Sequence, residues 1–117
     1  MSQRLIRLNS QLIQTLSEIL HTKYQSQATT ISLTAMDLSP DLKQAKVFYS
    51  VIGSEAQKKD ASSFLSKIRG LLRTELAKRI TIQYIPKLSF IYDKGIAHGT
   101  NIIRILDQLE NSHPPKH

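Results

Sequence analysis

The chain has 117 residues and no cysteine. This absence excludes disulfides, thiolate nucleophiles and cysteine-containing zinc sites, and it is typical of a reducing compartment. The sequence also lacks an apolar run of the roughly eighteen residues that a membrane span needs. Its first ten residues contain arginines but soon reach Asn9 and Ser10, which interrupt the apolar region expected of a secretory signal. We therefore expect a folded protein of the cytoplasm that binds no membrane.

Motifs for catalysis and metal binding are absent as well. The four histidines, at positions 21, 98, 113 and 117, show no H-E-x-x-H spacing. The glycines form neither G-x-G-x-x-G nor a P-loop. We therefore predict no metal, no cofactor and no small-molecule substrate. One enzymatic alternative stays open, a small hydrolase or nuclease in which His98 acts as general base with Asp93 or with a metal.

Acidic residues are scarce, with nine Asp and Glu against sixteen Lys and Arg, for a formal net charge of +7. Such a charge on a small domain favours a polyanionic partner, because each neutralised phosphate releases counterions. Charge alone is equally compatible with a basic protein that binds no nucleic acid. A protein-interaction module whose basic face binds acidic proteins is a further alternative.

The spacing of apolar residues predicts the secondary structure. Helical spacing predicts an amphipathic helix over residues 2–24 and a second helix over residues 54–78, capped by Ser54. Alternation predicts strands over residues 28–38, 45–52 and 88–92, the first of them with Ile31, Leu33 and Ala35 on one face. Ser39, Pro40 and Asp41 form a turn between the first two strands. A short terminal helix is predicted from residue 102 to residue 109.

This order predicts an α+β domain with a three-stranded mixed sheet and both long helices on one face. The second helix has an apolar stripe of Ala61, Leu65, Ile68, Leu72 and Leu76. Gly70 lies in the middle of this helix, where it marks a kink or makes room for close packing; we favour the kink. We expect one domain over residues 1–110, a disordered tail over residues 111–117, and a monomer.

The second helix also carries the densest group of cations. Residues 67–79 include one acid, Glu75, and five basic residues: Lys67, Arg69, Arg73, Lys78 and Arg79. At about 100° per residue, Arg69 and Arg73 lie on one flank of the stripe, while Lys67 and Lys78 point outward. Arginines four residues apart suit bidentate contacts with phosphate. We predict a face that contacts RNA, and we expect replacement of both arginines by glutamate to abolish binding without changing thermal stability.

Further cations are secondary candidates for the same electrostatic role. They are Lys43 and Lys46, near the start of the second strand, and Arg4 and Arg7 in the first helix. Their predicted role is to position the protein on phosphates and not to read sequence.

Four segments of the chain resemble one family. They are S-P-D-L-K-Q-A-K-V-F-Y-S from residue 39, L-L-R-T-E-L-A-K-R from residue 71, Y-I-P-K-L-S-F-I-Y-D from residue 84 and G-T-N-I-I-R-I-L-D-Q-L from residue 99. With the order of elements, they resemble ribosome-binding factor A over about residues 4–109. The resemblance implies a type-II KH-like fold and binding to free small ribosomal subunits. It further implies a non-catalytic factor for late maturation of 16S rRNA, including its 5′ end, associated with growth in the cold.

The chain departs from the family pattern at three places, one of which is Gly95, where family members often have a serine after the Tyr-Asp pair. The family usually has an Ala-x-Gly helical kink, and the aligned residues are Ile68, Arg69 and Gly70, so the glycine alone is kept. An Asp-Pro-Arg motif that follows the first helix in the family is replaced by Tyr24, Gln25 and Ser26. Any contact made by the family's arginine therefore cannot be transferred to this chain.

Overall fold

A computed structural model of the chain describes residues 3–82, 84–94 and 102–104. Its elements are helices α1 (Gln3–Lys23), α2 (Gln25–Ala28) and α3 (Glu55–Arg79) and strands β1 (Ile31–Leu38), β2 (Gln44–Val51), β3 (Lys87–Tyr92) and β4 (Ile102–Arg104). The predicted long helices and the three predicted strands are confirmed. The predicted tail over residues 111–117 lies outside the described residues.

The strands form one mixed sheet in the order β3-β2-β1-β4. β1 and β2 are an antiparallel hairpin, and β3 runs parallel to β2 after the crossover through α3. The predicted three-stranded core of the sheet is thus confirmed, and β4 adds a fourth strand antiparallel to β1. The prediction of a helix was wrong at residues 102–104, where two adjacent β-branched isoleucines favour a strand. Residues 105–109 of that predicted helix lie outside the described residues.

A bulge in β1 corrects the predicted alternation of that strand. The pairing with β2 shifts between Leu33 and Ala35, as expected where one strand carries an extra residue. Ala35 therefore lies opposite Phe48 and outside the main core, although it is buried. Met36, and not Ala35, therefore lies with Leu33 on the face covered by the helices.

The predicted turn between β1 and β2 is confirmed and is held by side chains. The Ser39 hydroxyl donates to Asp41 Oδ1 over 2.6 Å, and the same carboxylate oxygen accepts from the Lys43 backbone N–H over 3.0 Å. These two bonds, the Ser39 bond first, lower the pKa of Asp41. Leu42 has a φ of 64°, so the left-handed conformation in this turn is adopted by a residue other than glycine.

α3 begins at a capping box and packs on the sheet through the predicted stripe. Ser54 Oγ accepts from the Gln57 backbone N–H, and the Gln57 side chain accepts from the Ser54 backbone N–H. All five stripe residues, Ala61, Leu65, Ile68, Leu72 and Leu76, are buried. The stripe is therefore confirmed residue by residue.

Gly70 lies on the exposed side of α3, and the helix continues through it without a break. Beyond the backbone of the helix itself, no heavy atom of the described residues lies within 4 Å of where a Cβ would stand. Close packing is therefore not the reason for this glycine, and the kink stays a prediction.

The adjacent leucines 71 and 72 provide a matched test of the stripe. Leu72 is fully buried and Leu71 is 58% exposed. Leu72→Ala should lower the free energy of unfolding by about 2–5 kcal/mol, because it leaves a cavity between α3 and the sheet. Leu71→Ala should change it by less than about 0.5 kcal/mol. Urea denaturation followed by circular dichroism measures both, and equal losses would contradict the orientation of α3.

Candidate nucleic-acid interface

The cations of α3 lie on two different flanks of the helix. Arg69 and Arg73 lie about 60° and 100° from the centre of the apolar stripe on one side, and Lys67 and Lys78 lie about 140° and 120° from it on the other. Arg73 contacts Ile85, just before β3, whereas Glu75, beside Lys78, contacts Lys23 of α1. The structure therefore brings Arg69 and Arg73 together and places Lys67 and Lys78 on the side that faces α1.

Arg73 has a structural contact that the sequence did not indicate. Its Nε and one terminal nitrogen donate to the carbonyl oxygen of Ile85, over 3.1 and 2.7 Å. This ties α3 to the segment over residues 80–86, which leads into β3. The expectation that Arg73 can be replaced without loss of stability is therefore corrected. Two of the five guanidinium N–H donors are used in this contact.

Lys78 and Arg79 occupy the last turn of α3, where positive charge interacts favourably with the helix dipole. Lys78 Nζ also lies 3.6 Å from Glu75 Oε1, and Lys23 of α1 forms a closer ion pair with the same carboxylate oxygen. The pKa of Glu75 is lowered mainly by Lys23. Lys78 and Arg79 lower it further by smaller contributions. The charges of these lysines thus have a structural explanation in addition to any contact with phosphate.

Lys58 extends the flank of Arg69 and Arg73 toward the start of α3. Eleven residues are close to three helical turns, so Lys58 lies within about 20° of Arg69 around the helix. Its Nζ lies 5.3 Å from the centre of the Tyr92 ring and 3.3 Å from Glu55 Oε1. The pKa of Lys58 is raised, and the interaction with Tyr92 is the largest cause and that with Glu55 the second. We call Lys58, Arg69 and Arg73 the cationic flank.

The cationic flank lies along β3, a terminal strand of the sheet. Lys58 contacts Tyr92 at the end of β3, and Arg73 contacts Ile85 just before its beginning. β3 is the terminal strand of the sheet order, so within the described part of the chain its outer backbone edge pairs with no other strand. The flank and this edge together form an elongated surface with cations on one side and backbone donors and acceptors on the other.

Three lysines lie together at the end of the sheet beside the turn. Lys46 lies across from Asp37 on β1 and Ser89 on β3, on the face away from the helices. Lys43 is exposed next to the turn, and its carbonyl accepts from the Lys87 backbone N–H over 2.9 Å. The sequence alone did not identify Lys87 as a member of this group, because only the parallel register of β2 and β3 brings it beside Lys43.

Arg4 and Arg7 are both exposed and lie away from the cationic flank. They line an open groove whose other described walls are the turn after β1 and the residues Thr81, Ile82 and Tyr84. The structure therefore groups them with Tyr84 and not with Arg69.

The described residues give no support to an enzyme centred on Asp93. Asp93 Oδ2 accepts a 2.5 Å hydrogen bond from the Thr34 hydroxyl, and His98, its proposed partner, lies outside the described residues. Among the residues with a described position, no three His, Asp or Glu side chains are grouped to hold a metal ion. None of the described helices is long and apolar enough to cross a membrane.

A family model described as ribosome-binding factor A matches residues 4–106. The chain belongs to the ribosome-binding factor A family. It is 36% identical to the ribosome-binding factor A of Opitutus terrae over 116 residues, which cover 99% of this chain and 95% of that protein. It is 40% identical to that of Coxiella burnetii over 109 residues, covering 92% and 91% of the two chains.

Solved structures place the fold in the same family. The crystal structure of ribosome-binding factor A from Thermus thermophilus superposes with a TM-score of 0.65 at 24% identity, covering 74% of this chain and 92% of that one. A homology model of the Thermus protein, fitted into a cryo-EM map of its complex with the 30S subunit, superposes with a TM-score of 0.62 at 25% identity, covering 73% and 90%. The predicted KH-like α+β fold is confirmed.

The contact between Arg73 and Ile85 can be tested against its neighbour on the same flank. Arg73→Gln should lower the free energy of unfolding by about 0.5–1.5 kcal/mol, because the Ile85 carbonyl loses its two charged donors. Arg69→Gln is a matched change at a side chain that makes no such contact with the described residues, and it should lower the free energy of unfolding by less than about 0.5 kcal/mol. Urea denaturation decides the matter, and indistinguishable variants would show that the contact does not stabilise the fold.

The ion pairs of Glu75 predict a specific dependence of stability on pH. Because its pKa is lower in the folded chain than its ordinary value of 4.5, the interaction stabilises the fold above that pH. It is lost as the pH falls through the lowered folded pKa. Glu75→Gln should therefore be less stable than the unmodified chain at neutral pH, and the difference should shrink below pH 4.5.

Lys23→Gln should weaken the same dependence, because Lys23 is the largest cause of the shift. The measurement is the free energy of unfolding from neutral pH to about pH 3 for the three proteins. A difference between Glu75→Gln and the unmodified chain that is constant over this range would disprove the role of the carboxylate charge.

Proposed function

We propose that the protein binds the free small ribosomal subunit and promotes late maturation of 16S rRNA, including its 5′ end, in the cytoplasm. Membership of the ribosome-binding factor A family supports this, together with the complex of the Thermus relative with the 30S subunit. The protein acts by binding and catalyses no reaction. The observation that carries the assignment to a surface is the cationic flank beside the open edge of β3.

The cationic flank suits a nucleic-acid backbone because its positive charges follow one line. Between Lys58 and Arg73, the residues on this flank are Ser62, Ser66 and Arg69, so no acid interrupts the row. The contacts with Tyr92 and with the Ile85 carbonyl hold the side chains of Lys58 and Arg73 near the edge strand. Charges fixed in this way bind phosphates at a smaller cost in conformational entropy than freely moving side chains.

The edge of β3 complements the charges. A strand edge presents unpaired N–H and C=O groups, which can hydrogen-bond to unpaired bases or to ribose. The lysines at positions 43, 46 and 87 continue the positive surface past the start of β3. We therefore propose that RNA lies along α3 and β3, with Arg69 as the leading phosphate contact and Lys43 and Lys46 as secondary ones.

Binding alone is sufficient to promote a maturation step. A protein with higher affinity for one of two RNA conformations shifts their populations by the ratio of the two affinities. Contacts that are mainly electrostatic give such a preference through the spacing of phosphates and not through base sequence. The proposed role is to hold a precursor conformation in which the 5′ end can be processed by other enzymes.

The flank is tested by a charge reversal with a control on the same helix. Arg69→Glu should remove the protein from the small-subunit fraction of a sucrose gradient, because it repels phosphate at the centre of the flank. Lys67→Glu makes a similar change two residues away, on the side facing α1, and should leave cosedimentation largely unchanged. Both variants should keep the melting temperature of the unmodified chain to within a few degrees, since both side chains are exposed.

Two outcomes would count against this proposal. If the unmodified protein distributes over all ribosomal fractions, or over none, the assignment to the free small subunit is wrong. If Lys67→Glu and Arg69→Glu weaken binding equally, the subunit is bound but the cationic flank is not the contact surface.

A further inference from the structure

The groove beside α1 is a second charged surface with its own composition. Its volume is about 880 Å³, and its lining includes Arg4, Arg7, Gln11, Asp41 and Tyr84. These residues come from three separate parts of the chain: the start of α1, the turn after β1 and the segment before β3. The groove is therefore a product of the tertiary fold and not of one element.

The charge of the groove favours an anion. Arg4 and Arg7 are exposed and three residues apart on α1, so they project from the same side of the helix. Asp41, the one acid among the described lining residues, already accepts hydrogen bonds from the Ser39 hydroxyl and from the Lys43 backbone N–H. Its carboxylate therefore competes less for the arginines than an acid without such bonds would.

Tyr84 gives the groove an aromatic surface. Its side chain is 60% exposed, although Ile80 and Pro86 on either side of it along the chain are buried. Arg73 holds the carbonyl of Ile85, the next residue, over 2.7 Å. This charged contact holds the backbone of the residue that follows the ring.

We propose that this groove binds a single-stranded segment of RNA, with one unpaired base stacked on Tyr84 and the adjoining phosphates against Arg4 and Arg7. An aromatic ring beside cations is the combination that recognises unpaired nucleotides, because stacking requires an open base face and the cations bind the backbone. The inference rests on the proposed function, since it names the form of RNA that a second surface takes. Arg73 connects the two surfaces, because it belongs to the cationic flank and contacts the residue next to Tyr84.

The test measures binding of a labelled ten-nucleotide single-stranded RNA by fluorescence anisotropy, with a blunt-ended RNA duplex of the same length as the second probe. Tyr84→Ala should weaken binding of the single strand by about 5- to 150-fold, the range of one lost base stack. Tyr84→Phe keeps the ring and should bind as the unmodified chain does. Neither variant should alter binding of the duplex, whose paired bases are not free to stack on the ring. Ile52→Ala, at an apolar side chain that is 78% exposed and not among the groove residues, is the control for exposure.

The arginines are tested through the salt dependence of the same binding. The double variant Arg4→Gln and Arg7→Gln should reduce the slope of log affinity against log salt by about 1.4, as expected for two lost phosphate contacts on a single strand. Because both arginines are exposed, circular dichroism should show an unchanged fold.

The outcomes separate this inference from the proposed function. If Tyr84→Ala and the unmodified chain bind the single strand with equal affinity, the inference about the groove is wrong, even where cosedimentation with the small subunit is intact. The inference is also overturned if Tyr84→Ala no longer cosediments with the small subunit but binds the single strand as tightly as the unmodified chain does. The groove would then bind a protein. If the unmodified chain fails to cosediment while Tyr84→Ala still loses affinity for the single strand, the proposed function fails and the groove stands.

Discussion

The burial of the apolar stripe of α3 is the constraint on which the rest of the surface depends. Because Leu65, Leu72 and Leu76 are fully buried against the sheet, the helix cannot rotate about its axis without exposing them. Every other side chain of α3 is thereby assigned to a flank. Arg69 faces the side of β3 and Lys67 the side of α1, although only two residues separate them. A helix with a less regular stripe would leave this division undetermined.

Much of this arrangement was predictable because it depends on local patterns. The spacing of the stripe, the cap at Ser54 and the turn at Ser39 each follow from neighbouring residues, and each is confirmed by the structure. The contact of Arg73 with the Ile85 carbonyl was not predictable, since the acceptor is a backbone group that carries no signal in the sequence. The proximity of Lys87 to Lys43 depends in the same way on the register of two parallel strands.

The errors in the fold have a similar cause. Ala35 was placed on one face with Ile31 and Leu33 because strict alternation was continued through β1, and a single bulge reverses the phase after Leu33. The three residues of β4 read as the start of a helix because a short apolar run fits either period. What decided for a strand was the free edge of β1, a feature of tertiary structure with which Ile102–Arg104 pairs.

The position of Arg73 has a consequence for how the two proposed RNA surfaces work together. Its guanidinium uses two donors on the Ile85 carbonyl and retains three, so it can hold the segment before β3 and still face a phosphate on the cationic flank. A phosphate that draws the guanidinium away would loosen the backbone beside Tyr84, whereas one that binds the remaining donors would leave it in place. Arg73 is therefore a positioning residue between the surfaces. Arg69, which makes no such contact within the described part of the chain, is the simpler contact.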